Sequence, residues 1–250
     1  MNVAKRILAL AVAIAAVSTV AIAQTNGAKP EAKQELSVEE SYLQESVETM
    51  IIKEQSRADS REMKLVALEY IGEAIDSGRA GEDIQKALEY MGMEGVVNKA
   101  REGGMGRVTN NYPDVRAKVA KHLGDLGGEG SQKVLMRMVL VDPEPMVLTE
   151  AVKSLAKIGL NENDETVSTI SWIVTRFDII NPDNLLALAA LDAYEKIAEK
   201  NGGIKDPSTI RTIIRISEGN YIRPVQQRAR DVLSKLRKYN TQNSKDNSKK

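Results

Sequence analysis

The chain of 250 residues contains no cysteine, one histidine, one tryptophan and one phenylalanine. The missing cysteines exclude structural disulfides, thiolate metal sites, cysteine nucleophiles and lipid attachment through an N-terminal cysteine. A single histidine, His122, excludes metal sites built on a histidine pair and leaves any Ser-His-Asp arrangement to that one residue. Beyond the N-terminus, no apolar run approaches the length that crosses a bilayer. Neither sign of charge is in excess, with 35 basic and 35 acidic side chains. What is present is enough apolar material, 42% of residues, to bury a core as one large domain or two small ones.

The first residues read as an export signal. Lys5 and Arg6 precede the uninterrupted apolar run Ile7–Val17, and Ala21-Ile22-Ala23 places small residues where a signal peptidase needs them. The expectation is a signal peptide over 1–23, cleaved before Gln24, with retention as an anchor as the alternative because 7–23 reaches only the lower limit for a span. After cleavage no membrane-spanning segment is expected. Residues 24–36 are polar and read as a flexible lead-in, and 240–250 as a disordered lysine-rich tail.

Between these ends the apolar residues recur at steps of three and four, as in Leu43, Val47, Met50 and Ile51 or Met63, Val66, Ala67, Tyr70, Ile71 and Ala74. That period is helical, and no sustained alternation argues for a sheet. Starts are predicted at Ser37 with Glu40 and at Asp59 with Glu62. Stops are predicted at Gly78, Gly127-Gly128, Gly159, Gly202-Gly203 and Gly219, each as a left-handed C-cap.

The helices repeat. Asn110–Gly127 aligns with Asp142–Gly159 at a shift of 32, bringing Pro113 onto Pro145, Val115 onto Val147 and Leu123 onto Leu155. A further shift of 39 brings Asn181-Pro182 onto Asp142-Pro143, and another reaches Asn220, Ala229, Leu233 and Leu236. Each copy is the second helix of a pair. The first helices are predicted at Ser37–Arg57, Gly81–Arg101 (broken near Gly92), Ser131–Val141, Asp164–Asp178 and Pro207–Glu218. No pair can bury its stripe alone, so stacking must supply the core. The fold class is therefore all-α, a right-handed α-solenoid of about five helical hairpins over 37–239.

The segment Pro113-Asp114-Val115-Arg116-Ala117-Lys118-Val119-Ala120, with Leu123-Gly124 and Leu126-Gly127, resembles the second helix of HEAT repeats, in particular the phycobilisome-lyase-like form. The valine–arginine pair holds only there, since Leu148 and Ala187 replace Arg116 in the next copies. The resemblance implies a HEAT-like solenoid from an exported bacterial protein, with a periplasmic location expected and secretion as the alternative. It is nearly silent on activity.

No catalytic, cofactor-binding or metal-binding residue is assigned. His122 reads as a partly exposed helix histidine, because no spacing supplies it with a nucleophile and an orienting acid. Gly103-Gly104-Met105-Gly106 follows no strand and lacks the lysine of a phosphate loop. Glu102–Tyr112 is the one long loop expected in the array, and a contact role for it stays open. In Asn161-Glu162-Asn163-Asp164-Glu165 a calcium loop would want Gly and Glu where Thr166 and Trp172 stand, so Asp164 is read as a helix N-cap. Asn110, Asp142, Asn181 and Asn220 recur at the hairpin turns, along an edge where a partner would meet them. Trp172, among Ile170, Ile173 and Val174, is expected to be buried between repeats, with a binding anchor as the alternative.

Charge carries the functional signal. Glu31–Gly95 has 16 acidic and 7 basic residues, whereas Ile204–Lys250 has 12 basic and 4 acidic. The basic residues Arg211, Arg215, Arg223, Arg228, Arg230, Lys235, Arg237 and Lys238 are the candidate partner-binding set. Only Tyr221 and Tyr239 accompany them as aromatics, which with export argues against nucleic acid. The reading is an exported, non-catalytic scaffold or protein-binding module without a cofactor. Its partner is an acidic protein or another copy, and an anionic envelope surface is a further possibility. The alternatives are an enzyme or enzyme subunit of the lyase-like type, and attachment to an envelope polymer or lipid surface.

Overall fold

The computed structural model describes residues 38–247, so the predicted export signal, the lead-in and Ser37 lie outside the described residues. The chain divides into two units, Met1–Glu40 and Ser41–Lys250, and the helical array belongs to the second. Ten α-helices are seen among the described residues. They are α1 (Val38–Ser56), α2 (Arg61–Asp76), α3 (Glu82–Met93), α4 (Pro113–Leu126), α5 (Gly128–Val141), α6 (Pro145–Ile158), α7 (Glu165–Ile180), α8 (Asn184–Asn201), α9 (Pro207–Glu218) and α10 (Arg223–Asn247). No strand accompanies them, only two isolated bridges, Glu94 with Asn98 and Arg101 with Val108.

The expected all-α solenoid is what these helices build. From α3 with α4 through α9 with α10 they pair as hairpins, and α2 packs on α4 ahead of them. The core positions follow the repeat. Val115, Val119, Ala120 and Leu123 of α4, then Val147, Leu148, Ala151, Val152 and Leu155 of α6, then Leu186, Ala187, Ala190, Leu191 and Tyr194 of α8 are all buried. Each large member removed from water is worth about 2 kcal/mol. The second helices, α2, α4, α6, α8 and α10, pack on one another more extensively than the first helices do. The first-helix layer is thus the more open one, and grooves run between its neighbours.

Helix ends follow local chemistry where the sequence offers it. Pro113, Pro145 and Pro207 stand in the first turns of α4, α6 and α9, where a missing N–H costs nothing. Gly159 and Gly202 close α6 and α8 in the left-handed conformation. Gly219 does not behave as expected. Its φ is −81° and its backbone is extended, because Tyr221 rather than a left-handed cap completes that turn. The start predicted at Asp59 falls one residue later, at Ser60, whose hydroxyl donates to Glu62 Oε2 at 3.0 Å. At α7 the left-handed Asp164 makes no side-chain cap of its own. Asn161 takes that role, its Oδ1 accepting from Val167 N at 3.2 Å, while Asp164 Oδ2 accepts from Lys205 N at 3.0 Å.

The second of the predicted first helices ends at its expected break near Gly92, and only the part beyond that break is corrected. Gly81–Arg101 is helical only to Met93, and the irregular stretch begins at Glu94 rather than at Glu102. Gly95 turns the chain with φ +76°, and a Cβ there would sit 2.6 Å from Asn110 O and from Asn111 Cα, so only glycine fits the approach. Asn110 fastens the stretch from inside, accepting from Ala100 N at 2.9 Å and donating to Asn98 O at 2.9 Å. At the other end α10 runs through Asn247 and takes in most of the segment read as a tail.

Two ion pairs lie inside the stack. Arg116 Nε stands 2.6 Å from Asp142 Oδ2, and Arg116 also donates to Asn111 Oδ1 at 2.8 Å. Lys64 Nζ lies 2.6 Å from Glu94 Oε2, 3.0 Å from Ser56 O, and 5.7 Å from the centre of the Tyr90 ring. Charges this deep are tolerated only when paired and hydrogen-bonded, as both are.

Candidate functional site

The grooves described here all open on the first-helix layer. One lies between α1 and α3, lined by Thr49, Lys53, Asp83 and Tyr90. Another, between α5 and the start of α7, has Glu129, Lys133, Glu162 and Glu165 on its walls. The third, of about 710 Å3, lies between α7 and α9. This third one sets three arginines around an exposed indole, whereas the first pairs a single arginine, Arg57, with the exposed Tyr90 ring.

Its walls are two helical stripes. Ser168, Trp172, Thr175, Arg176 and Ile179 face it from α7, and Ser208, Arg211, Thr212 and Arg215 from α9. These positions recur at three- and four-residue steps, on the flank of α7 away from the buried Val167, Ile170 and Val174. Trp172 is 46% exposed, so the expected burial between repeats is overturned. Isoleucine and valine already fill the inward stripe of α7, and the indole is left for the groove. The Arg176 guanidinium sits 5.6 Å from the Trp172 ring centre, a cation–π contact that holds the indole upright. Ile179 is 72% exposed at the groove mouth.

The floor is a chain of hydroxyls. Ser171 Oγ lies 3.0 Å from the Tyr194 hydroxyl and 3.1 Å from Thr209 Oγ1, and Thr175 Oγ1 lies 3.3 Å from Thr212 Oγ1. These small side chains let α7 and α9 approach closely at the groove floor. Burial pushes the Tyr194 phenol well above its ordinary value, so it serves only as a neutral hydrogen-bonding group.

The eight basic residues predicted for partner binding divide by what holds them. Arg215 Nη2 is 2.7 Å from Asp178 Oδ2, Arg228 Nη2 is 2.6 Å from Asp192 Oδ1 and from Glu195 Oε2, and Lys235 also pairs with Glu195. Burial works to raise the Glu195 carboxyl, and Lys235 and Arg228 outweigh it, holding it below the ordinary carboxylate value. Arg230 donates to Ser217 O at 3.3 Å. Arg211, Arg223, Arg237 and Lys238 are exposed, and Arg211 alone of these four stands on the groove wall beside the indole. The structure therefore brings Arg211 and Arg215 together and adds Arg176, which the charge count of the last segment missed because it lies in α7.

Other readings fall into place. His122 is half-buried, its ring over Gly72 of α2, where a Cβ would come within 3.0 Å of Cε1. Burial holds the His122 imidazole below its ordinary value, against Asp125. Of the four turn residues, Asn181 and Asn220 are exposed while Asn110 and Asp142 are buried, so the expected polar edge is half hidden. Apolar residues occupy that edge instead, with Leu140, Met146, Ile179, Leu185 and Ile222 exposed near the turns. Met146 and Leu185 are related by the repeat shift, the one signal that would have revealed them. No group of acidic or histidine side chains suited to a metal occurs among the described residues, including Asn161–Glu165. No helix among them is long and apolar enough to cross a membrane.

Residues 107–170, from the end of the irregular stretch to the first turns of α7, match the family model of HEAT repeats. A search of curated proteins finds no match. HEAT repeats generally mediate protein–protein interaction and typically carry no catalysis, which fits an array with open grooves between its first helices.

Proposed function

We propose that this chain is an exported, periplasmic and non-catalytic binding module of the phycobilisome-lyase-like HEAT type from a double-membrane bacterium, whose basic last repeats engage an acidic protein partner. The observation that carries this reading is the clustering of Arg176, Arg211 and Arg215 around the exposed Trp172 between α7 and α9. Arginine and tryptophan are the residues most enriched at binding hot spots, and a groove that presents both is suited to carboxylates flanking an apolar anchor. The segment charges support it, since the 12 basic residues after Gly203 face only 4 acids. Lys5-Arg6, the apolar run and Ala21-Ile22-Ala23 support export, and the Pro113–Ala120 motif supports the subtype.

Trp172 is the sole tryptophan, so fluorescence excited selectively over the seven tyrosines reports this groove alone. Titration with polyglutamate at about 50 mM salt should quench or shift the emission, and about 500 mM salt should abolish the effect. An emission that polyglutamate leaves unchanged at low salt, or changes equally at high salt, overturns the proposal. The N-terminus of the native protein tests export separately: a mature chain starting at Gln24 is expected, and one starting at Met1 counts against cleavage.

A further inference from the structure

The first repeat has an end face unlike that of the last. Helix α1 carries apolar residues on two sides. Ile52 points into the core, while Leu43, Val47 and Met50, at 62%, 56% and 66% exposure, form a stripe on the opposite side. Met63 and Val66 of α2 are exposed as well. A helix apolar on both sides is normally covered on both, and a terminal repeat normally presents a polar outer surface. Helix α10 obeys that rule, with Gln227, Arg230, Asp231, Ser234, Lys235 and Lys238 exposed. Helix α1 does not.

The complement to this stripe stands on the same chain. Trp172 and Ile179 in the groove are separated by the same seven residues as Leu43 and Met50, about 10 Å along a helix. Spacing at i, i+4 and i+7 is how an amphipathic helix is read by an apolar groove. The charges match too. Glu54 continues the α1 stripe, and Glu62, Glu69 and Glu73 of α2 are exposed beside Met63 and Val66. Arg211 has no ion pair among the described residues, and Arg176 and Arg215 flank the groove with it.

We infer that the groove between α7 and α9 of one copy receives helix α1 of a second copy, so that the protein assembles head to tail. This rests on the reading that the basic repeats meet an acidic partner, and it names that partner as the acidic first repeat of the same protein. The two surfaces are different, so the contact is heterologous. Short of closure into a ring, each added copy leaves one groove and one α1 stripe unsatisfied. Salt weakens the assembly because carboxylates and guanidinium groups meet at its rim.

Sedimentation velocity of the purified protein from about 1 µM to about 200 µM tests this. Average mass is expected to rise with concentration beyond that of a dimer, and to fall at high salt. Trp172→Ala and Val47→Asp alter opposite surfaces at exposed positions, and circular dichroism checks that each variant stays folded. Each alone should weaken association at least about tenfold. Mixed in equal amounts they should form a dimer and nothing larger, because the mixture retains one intact groove and one intact stripe. Ile179→Asp in place of Trp172→Ala should behave identically.

A mass that stays monomeric throughout overturns the inference, as does association that both variants leave unchanged, or a mixture that remains monomeric. Polyglutamate then separates the two levels. A monomer whose Trp172 emission still responds to polyglutamate overturns self-assembly and leaves the acidic-partner reading standing. A monomer that responds to neither overturns both.

Discussion

Arg116 on α4 and Asp142 in the turn after α5 form a closed ion pair, with each side chain 1% exposed and Nε 2.6 Å from Oδ2. It ties the second repeat to the third at a position where the following repeats carry Leu148 and Ala187. Removing one charge leaves the other buried without a partner. Asp142→Asn is expected to cost about 3–5 kcal/mol in urea unfolding, while Arg116→Leu combined with Asp142→Asn recovers most of it. A double variant no more stable than Asp142→Asn would mean that the Asp142 carboxylate acts mainly through Glu144 N, to which it is 3.0 Å.

Gly124 sits where α4 and α6 touch. A Cβ there would lie 2.5 Å from Ser154 Oγ and 2.9 Å from Ser154 Cα, and backbone cannot swing aside. Gly124→Ala should lower stability by about 1–3 kcal/mol through overpacking, despite the better helix propensity of alanine. A thermal midpoint unchanged or raised would show that the helices separate freely.

Lys64 and Glu94 pin the base of the irregular stretch to α2, and Asn110 Nδ2 joins them at 3.4 Å from Glu94 Oε1. With Lys64→Met, amide exchange should accelerate by about tenfold or more over 94–112 and change little in α6 and α8. Uniform acceleration along the chain would show instead that the pair governs global unfolding.

His122 gives the stability a dependence on pH. Burial depresses its folded value below the ordinary 6.5, so on acidification the unfolded chain takes up the proton first. The contribution is fully present above pH 6.5 and declines as the pH falls from there towards the folded value. His122→Gln should flatten this loss in denaturation curves between about pH 7 and about pH 5. Equal slopes for both proteins would place the sensitivity elsewhere.

The basic residues should differ in what they contribute to binding. Arg211→Ala is expected to weaken polyglutamate binding several-fold, whereas Lys235→Ala, at a position already occupied by Glu195, should have a smaller effect. Fluorescence titration of Trp172 ranks the two directly.

Much of the array could be read from the chain because its signals are local. Pro113, Pro145 and Pro207 mark helix starts, Gly159 and Gly202 mark ends, and the apolar spacing between them places the core. Helix α9 was bounded to the residue for that reason. Two kinds of feature escaped. The break near Gly92 was legible, but the irregular course of the chain from Glu94 to Arg101 depends on Asn110, which closes against Gly95 and bonds to Ala100 N and Asn98 O. The exposure of Trp172 depends on which neighbour covers which flank of α7, and hydrophobicity alone assigns every large apolar residue to the inside. An inward stripe already complete in Val167, Ile170 and Val174 was the available clue. The basic residues were found by counting, but the ion pairs of Arg215, Arg228 and Lys235 required Asp178, Asp192 and Glu195 on other helices.

The unequal packing of the two helix layers has a mechanical consequence. Closely packed second helices behave as a stiff spine, and first helices that touch less behave as a compliant flank. Bending the array about that spine opens or narrows the slots between first helices while the core beneath barely moves. The slot holding Trp172 is tied by hydroxyl contacts at its floor and by the Arg215–Asp178 pair between its walls, and hydroxyl contacts adjust by about tenths of an ångström at little cost. Occupancy of that slot and curvature of the array are therefore coupled, and tension on the chain would be felt as a change in affinity.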